Sequence, residues 1–96
     1  MVKHVVMFRF GAENKEEALK TAKEKLEGLR GKIDTLTSLE VGLNINNSEA
    51  AYDLVLITEH PDEKGLDAYQ VHPAHQEVVA FIKQVAVARV VVDYNK

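Results

Sequence analysis

The sequence has no cysteine, and it has no apolar run long enough to span a lipid bilayer. The absence of cysteine excludes disulfide scaffolds, thiolate metal sites and thiol nucleophiles. It also agrees with a cytoplasmic protein, which is the location that we expect. Positive charge is not in excess, because 12 Lys and Arg stand against 15 Asp and Glu, for a formal net charge of −3. Since nucleic-acid binding requires clustered cations, we expect neither a nucleic-acid partner nor a membrane partner.

The length of 96 residues suits one compact domain, and we expect a single domain over residues 1–96. Apolar residues make up 46% of the chain and charged residues 28%, which is typical of a globular domain with a small core. Residues 1–10 do not have the pattern of a signal peptide. His4 and Arg9 interrupt their apolar run, and no small-residue cleavage site follows.

Alternating apolar residues predict four β-strands. Each predicted strand is rich in Val, Leu, Ile or Phe, and turn-forming or polar residues lie between them. The strands are expected over residues 2–10, 36–45, 52–59 and 86–94. The second and third are joined by a short polar loop, which favours an antiparallel hairpin.

Two helices are predicted between the strands. The first is expected to begin after Asn14, with Glu17 completing a capping box, and to end near Gly28. Its apolar stripe consists of Leu19, Ala22, Leu26, Leu29 and Ile33. The second is expected to begin after Asp62 and to break at Pro73, because the residue before a proline avoids helical geometry.

The resulting order, β-α-β-β-α-β, is the ferredoxin-like α+β arrangement with a four-stranded antiparallel sheet. Helices cover only one face of such a sheet. Both faces of the first strand are nevertheless apolar, since Val5 and Met7 alternate with Val6 and Phe8. An exposed apolar face marks a partner surface, and a second copy with two-fold symmetry is the simplest partner. We therefore expect a homodimer.

The segment 69–75, Tyr-Gln-Val-His-Pro-Ala-His, holds a phenol and two imidazoles around a proline that favours a helix start. Histidine titrates near neutral pH, so His72 and His75 indicate acid–base or ligand chemistry. The same spacing is also typical of polar residues at an exposed helix start. A metal site would need His4 and Asp93 as additional ligands, because zinc takes three or four ligands from the protein. We expect no metal.

Three segments resemble those of the stress-responsive dimeric α/β-barrel (Dabb) domain family: residues 2–10, 69–75 and 91–94. Residues 38–42 and 52–56 are also similar to the family, so the resemblance covers nearly the whole chain in the same order. It implies a homodimer whose two sheets form an α/β barrel. The family includes plant stress-induced proteins, many bacterial proteins and a plant polyketide cyclase, olivetolic acid cyclase.

The resemblance to the cyclase implies a site in this chain. The residues that it implies are Tyr69 and His75 as the catalytic pair, with His4 and Asp93 supporting the pocket. Phe8 and His72 are the further residues that we expect beside a ligand. The first helix departs from the cyclase pattern, because it has no aromatic residue to line the pocket.

Convergence of the four implied residues would permit carbonyl chemistry without a cofactor. His75 would take a proton from a carbon next to a carbonyl, and Asp93 would hold the imidazole in one tautomer. The hydroxyl of Tyr69 would donate to the oxyanion that develops. Such a set supports aldol-type ring closure or isomerisation.

Structural roles are open for the same residues. Asp93 also suits an ion pair with Arg89 or Lys96, and His4 and Tyr69 also suit the core. We therefore keep two functions. The preferred one is a non-enzymatic, stress-responsive homodimer that binds a small hydrophobic molecule containing a carbonyl group in a pocket between the sheet and the helices. The alternative is a cofactor-independent, polyketide cyclase-like lyase. Oxygenation, as in related dimeric barrels, has no distinctive motif here.

Overall fold

The computed structural model describes residues 1–11 and 13–96. Four strands and three helices follow one another along the chain. They are β1 (Val2–Phe10), α1 (Lys15–Glu27), β2 (Ser38–Leu43), β3 (Leu54–His60), α2 (Glu63–Val71), α3 (Pro73–Val85) and β4 (Ala86–Asn95). The predicted β-α-β-β-α-β order is confirmed, with the second helical region divided into α2 and α3.

The four strands form one antiparallel sheet in the order β2-β3-β1-β4, which confirms the ferredoxin-like fold. The central strand β1 pairs with β3 on one side and with β4 on the other. This register places His4 between Thr58 of β3 and Asp93 of β4. The predicted hairpin between β2 and β3 is also present.

The face of the sheet that carries His4 is the face that the helices cover. Along β1, the even-numbered side chains are buried, whereas the odd-numbered ones are partly or largely exposed. The buried set is Val2, His4, Val6, Phe8 and Phe10. Alternation in the sequence grouped His4 with Val6 and Phe8, and tertiary packing decided that this group faces inward.

Helix α1 begins at Lys15 without the predicted capping box. Asn14 occupies the N-cap position, but its side chain makes no capping hydrogen bond, so the pairing with Glu17 is wrong. The apolar stripe is nevertheless buried, apart from Leu19, which is partly exposed, and it continues past the helix end, where Leu29 and Ile33 are each less than 5% exposed. The stripe outlasts the helix because the following turn keeps the chain against the sheet.

The boundary between α2 and α3 lies where the sequence predicted it. The Asp62 carboxylate accepts a hydrogen bond of 2.7 Å from the backbone N–H of Gly65, which caps α2. Helix α2 ends at Val71, and His72 is extended, with φ −64° and ψ 136°. Pro73 then begins α3, as its fixed φ angle favours.

Strand β2 begins at Ser38, and it ends at Leu43, earlier than predicted, because two asparagine side chains fold the following loop. The backbone N–H of Asn46 donates to Oδ1 of Asn44 at 2.9 Å, and that of Ser48 donates to Oδ1 of Asn46 at 2.8 Å. Such local bonds compete with strand pairing. Strand β3 consequently begins at Leu54 rather than at Tyr52, and it extends one residue further, to His60.

The sheet face opposite the helices, here called the outer face, is apolar and uncovered within a single chain. Three of its large side chains are markedly exposed: Met7 at 41%, Val90 at 44% and Val92 at 63%. Val5 lies beside Val92 in the register, and Ile57 lies on the other side of Val5. Among the helices that the structure describes, none is long and apolar enough to cross a membrane.

Candidate functional site

A cavity of about 380 Å³ lies between the sheet and the helices. Its apolar walls come from β1, β3, α1 and α3, and they consist of Val6, Phe8, Leu26, Leu56, Val78, Val79 and Ile82. Its polar lining consists of His4, Gln70, His75, Gln76, Lys83 and Arg89. The predicted ligand residue Phe8 is therefore part of the wall. A largely apolar cavity of this size with a few polar groups is typical of small-molecule sites.

His75 presents one free ring nitrogen. Its Nδ1 lies 3.0 Å from the carbonyl oxygen of Gln70. Because a carbonyl oxygen only accepts hydrogen bonds, Nδ1 carries the proton and Nε2 is left with a lone pair. In the described ranges, no protein group bonds to that Nε2. His75 lies in the first turn of α3, two residues after Pro73 begins the helix.

His75 is neutral at neutral pH. Burial lowers the pKa of His75 below its ordinary value, and the hydrogen bond to the Gln70 carbonyl opposes this only in part. The positive charge of Arg89 lowers the pKa of His75 further. A neutral imidazole with a free Nε2 can accept a hydrogen bond or take a proton from a bound molecule.

Tyr69 is completely buried and packs between two histidine rings. The centroid of its ring is 4.4 Å from that of His75 and 4.8 Å from that of His60. Its hydroxyl is buried, with no hydrogen-bond partner among residues 1–11 and 13–96. Burial raises the pKa of Tyr69 to about 12, so the phenol stays protonated. The ring packs against His75 and does not form the cavity wall.

His4 and Asp93 are bonded to each other across β1 and β4. Nδ1 of His4 donates to Oδ1 of Asp93, its direct partner in the strand register. The predicted contact of Asp93 with His75 is therefore not made, because the Gln70 carbonyl takes that position. The alternative pairing of Asp93 with Lys96 is not made either, since Lys96 bonds Glu59 at 2.9 Å.

His60 is a buried histidine that the sequence interpretation missed. Its Nδ1–H donates to the carbonyl oxygen of Thr35 at 2.8 Å, and its Nε2 accepts from the hydroxyl of Thr58 at 2.9 Å. Burial is the main cause that lowers the pKa of His60. The alternation of Leu54, Leu56, Thr58 and His60 along β3 was the signal that could have placed it on the core face.

His72 serves the helix rather than the cavity. Its Nδ1 accepts a hydrogen bond of 3.0 Å from the backbone N–H of Ala74, which caps α3. It does not line the cavity that His75 lines. The part of the chain that the structure describes also holds no cluster of three or more His, Cys, Asp or Glu side chains suited to a metal.

The structure thus brings His4, Tyr69 and His75 together on the helix side of the sheet. The ring centroids of His4 and Tyr69 are 6.4 Å apart, and Tyr69 contacts His75. Asp93 joins the group through His4 alone, whereas His72 stands outside it. The arrangement can offer an apolar molecule one neutral imidazole as a hydrogen-bond acceptor or base, on an apolar wall.

The fold and the sequence both have relatives of the same size. The chain is 32% identical over 97 residues to the uncharacterised protein SCO4036 of Streptomyces coelicolor, with 99% of each chain covered. A dimeric protein of unknown function and ferredoxin-like fold from Bacteroides fragilis is 29% identical, with a TM-score of 0.90 over 99% of this chain and 95% of that one.

A second dimeric ferredoxin-like protein of unknown function, from Thermobifida fusca, shares the fold at 24% identity, with a TM-score of 0.89 over 99% of this chain and 90% of that one. The model of the stress responsive A/B barrel domain, Dabb, matches residues 2–96. The chain therefore belongs to the stress responsive A/B barrel domain family.

Proposed function

We propose that this protein is a homodimer that binds a small, mainly apolar molecule containing a carbonyl or hydroxyl group in the cavity beside His75. One observation carries the binding proposal: a cavity of about 380 Å³ with apolar walls contains an imidazole whose Nε2 has no protein partner among the described residues. A hydroxyl group on a ligand would donate to that nitrogen. The ligand's apolar body would contact Phe8, Val78 and Ile82.

The homodimer is supported by the outer face of the sheet. A monomer would leave Met7, Val90 and Val92 in contact with water, and surfaces of this kind usually mark an interface. The relatives from Bacteroides fragilis and Thermobifida fusca are described as dimeric. Because the cavity lies on the opposite side of the sheet, an outer-face dimer leaves both ligand sites accessible.

A cavity-filling variant tests the binding proposal. Val79 lines the cavity and is only partly exposed, so a tryptophan at this position would occupy the space of a ligand. Val71 is 73% exposed and does not line the cavity, which makes V71W the matched control. Thermal unfolding is measured with and without nonanone and nonanol, two neutral probes with the proposed chemistry.

We expect the probes to raise the unfolding temperature of the wild type and of V71W, but not that of V79W. Removal of the imidazole in H75A should weaken the effect of nonanol, which would donate to Nε2. Equal shifts in V79W and V71W would show that the probes bind elsewhere and would contradict the proposal. The absence of any shift in the wild type would contradict it as well.

A second candidate function, a cofactor-independent lyase or aldol cyclase, is favoured by the contact between Tyr69 and His75. A neutral His75 would take a proton from the carbon next to a bound carbonyl, and the protonated Tyr69 hydroxyl, which lacks a protein partner, would donate to the enolate oxygen. The phenol is enclosed, so the rings would have to shift for this contact. Deuterium incorporation from solvent at the α-carbons of nonanone, followed by NMR, measures the proposed proton transfer.

Faster incorporation with the wild type than with H75A or Y69F would support the lyase. If nonanone binds but deuterium is incorporated only at the rate measured in buffer alone, the protein binds the ligand without carrying out this chemistry. The two candidate functions are thereby separated with a single compound.

A further inference from the structure

We infer that the ligand of this cavity is an amphiphilic carboxylate, with its carboxylate at Lys83 and Arg89 and a hydroxyl or carbonyl group at the far end beside His75. The inference rests on the proposed ligand-binding function and specifies the class of ligand. Three features of the cavity support it: its charge, the separation of its polar ends, and the helix terminus that lies near the cations.

The charged lining of the cavity is entirely cationic. Lys83 and Arg89 line it, whereas no Asp or Glu does so among the residues that the structure describes. In the described part of the chain, the ion pairs involve other basic residues, so no carboxylate neutralises these two. Asp93, which bonds His4, lines a separate cleft of about 430 Å³ together with Glu63 and Asp67. The cavity therefore has a positive field that attracts an anion.

The backbone positions that carry the two cations lie toward one end of the cavity, and those that carry the imidazoles lie toward the other. On β4, Arg89 is paired with Phe8, whereas Asp93 is paired with His4. Four residues of a strand span about 13 Å. Helix α3 gives a second measure, because the eight residues from His75 to Lys83 correspond to a rise of about 12 Å.

The opposite directions of α3 and β4 place Lys83 and Arg89 toward the same end of the cavity. Helix α3 ends at Val85, and β4 begins at Ala86, which pairs with Phe10 at the far end of β1. Strand β4 then returns along β1 toward His4. Lys83 and Arg89 consequently lie near this turn, and His4 and His75 lie near the other end, with the apolar walls between them.

The chemistry of the cationic end favours a carboxylate over a phosphate. A guanidinium matches the geometry of a carboxylate and binds it through two parallel hydrogen bonds. Lys83 lies in the last turn of α3, where the helix dipole is negative and disfavours a dianion. The N-terminus of α3, which would favour a phosphate, lies at the His75 end, and His72 already caps it.

Binding of three ten-carbon probes tests the inference. Decanoate carries only the carboxylate, decanol carries only a hydroxyl, and ω-hydroxydecanoate carries one group at each end. Dissociation constants are measured by calorimetry, below the micellar concentration of each probe, for the wild type and for the double variant K83Q/R89Q. K20Q, which removes an exposed lysine of α1 outside the cavity lining, is the control.

We expect decanoate to bind the wild type about tenfold more tightly than decanol, because a charge-assisted hydrogen bond is stronger than a neutral one. K83Q/R89Q should remove this preference without weakening the binding of decanol, and K20Q should retain the preference. High salt should weaken the binding of decanoate only. ω-Hydroxydecanoate should bind more tightly than decanoate, and H75A should remove that additional affinity.

Equal affinity for decanoate and decanol, with no change in K83Q/R89Q, would overturn the carboxylate inference and leave the proposed cavity function intact. If ω-hydroxydecanoate binds no more tightly than decanoate, the inferred polar group at the far end of the ligand is overturned. If none of the three probes binds, the inference is overturned, and nonanone and nonanol in the V79W experiment show whether the proposed function fails with it.

Discussion

The carboxylate of Asp93 hydrogen-bonds Nδ1 of His4, the residue directly opposite it in the pairing of β1 with β4. His75, the other histidine of the cavity, is held instead by the backbone carbonyl of Gln70. The two imidazoles therefore have different hydrogen-bond partners on Nδ1: a carboxylate for His4 and a backbone carbonyl for His75. Any chemistry at His75 proceeds without a carboxylate on its Nδ1.

Removal of the Asp93 carboxylate should destabilise the fold through His4. D93A leaves the Nδ1–H of a buried imidazole without a partner, which should lower the free energy of unfolding by about 1–3 kcal/mol. D93N keeps a side-chain oxygen that accepts the bond, so its loss should be smaller. Urea denaturation measures both. Wild-type stability in D93A would mean that the His4–Asp93 bond contributes nothing to the fold.

The hydroxyl of Tyr69 should contribute nothing to stability in the absence of a ligand. It is buried without a hydrogen-bond partner in the described residues, so Y69F removes an unsatisfied polar group and should leave the free energy of unfolding equal or higher. Y69A removes the whole buried ring and should cost about 3–5 kcal/mol. Chemical denaturation measures the free energy of unfolding of both variants and of the wild type.

The same Y69F variant distinguishes a structural role of the Tyr69 hydroxyl from a role in ligand binding. If Y69F is as stable as the wild type but binds nonanone more weakly, the hydroxyl serves the ligand. A stability loss of more than about 1 kcal/mol in Y69F would instead reveal a hydrogen bond within the protein.

Acidification should destabilise the protein through His60 and His75. Both have a pKa below the ordinary value in the folded state, mainly because burial disfavours the charged form. In the unfolded chain, the histidines take up protons as the pH falls through about 6.5. The unfolded state then binds more protons than the folded state, so the free energy of unfolding decreases. Above that pH, these two residues add no pH dependence.

Urea denaturation at a series of pH values from about 7.5 to about 5 measures this decrease. H60Q retains one donor and one acceptor for the Thr35 carbonyl and the Thr58 hydroxyl, and H75Q removes the second titrating group. The double variant should show a shallower decrease than the wild type. An unchanged slope would assign the acid sensitivity to other groups.

A lysine on the outer face should dissociate the homodimer. Val92 lies on the edge strand β4 of that face, beside Val5 of the central strand β1, and is 63% exposed in the single chain. Burial of an unpaired ammonium at an interface is strongly unfavourable, so V92K should sediment as a monomer at micromolar concentration where the wild type sediments as a dimer. V71K places the same charge on α2, away from the outer face, and should remain dimeric. A monomeric wild type, or a dimeric V92K, would contradict the proposed interface.

Local patterns accounted for most of the fold. Alternating apolar residues predicted all four strands, and the proline at position 73 predicted the division between α2 and α3. Strand ends were less accurate, because the bonds from Asn44 and Asn46 that end β2 depend on side-chain conformation. The capping box at Asn14 failed for a similar reason, since a cap requires a particular backbone geometry as well as a residue type.

The candidate site was predicted only in part. The resemblance to the family named His4, Tyr69, His75 and Asp93, and the fold brings their elements to one side of the sheet. The chemistry proposed for these residues gave the wrong partner for Asp93, because the choice between His4 and His75 depends on the register of β1 with β4. His60 was missed because the third strand was predicted to end at Glu59, whereas β3 continues through His60 and places its side chain on the core face.

Residue order alone determined the succession of strands and helices, the break before α3 and the presence of apolar side chains on both faces of β1, since these depend on neighbours along the chain. Tertiary structure decided that His4 faces inward, that Asp93 bonds it from 89 positions away, and that Gln70 fixes the tautomer of His75. The His4–Asp93 contact is set by strand pairing, which brings together side chains whose separation in sequence carries no signal. The Gln70 carbonyl reaches His75 only because the break between α2 and α3 folds the chain in this particular way.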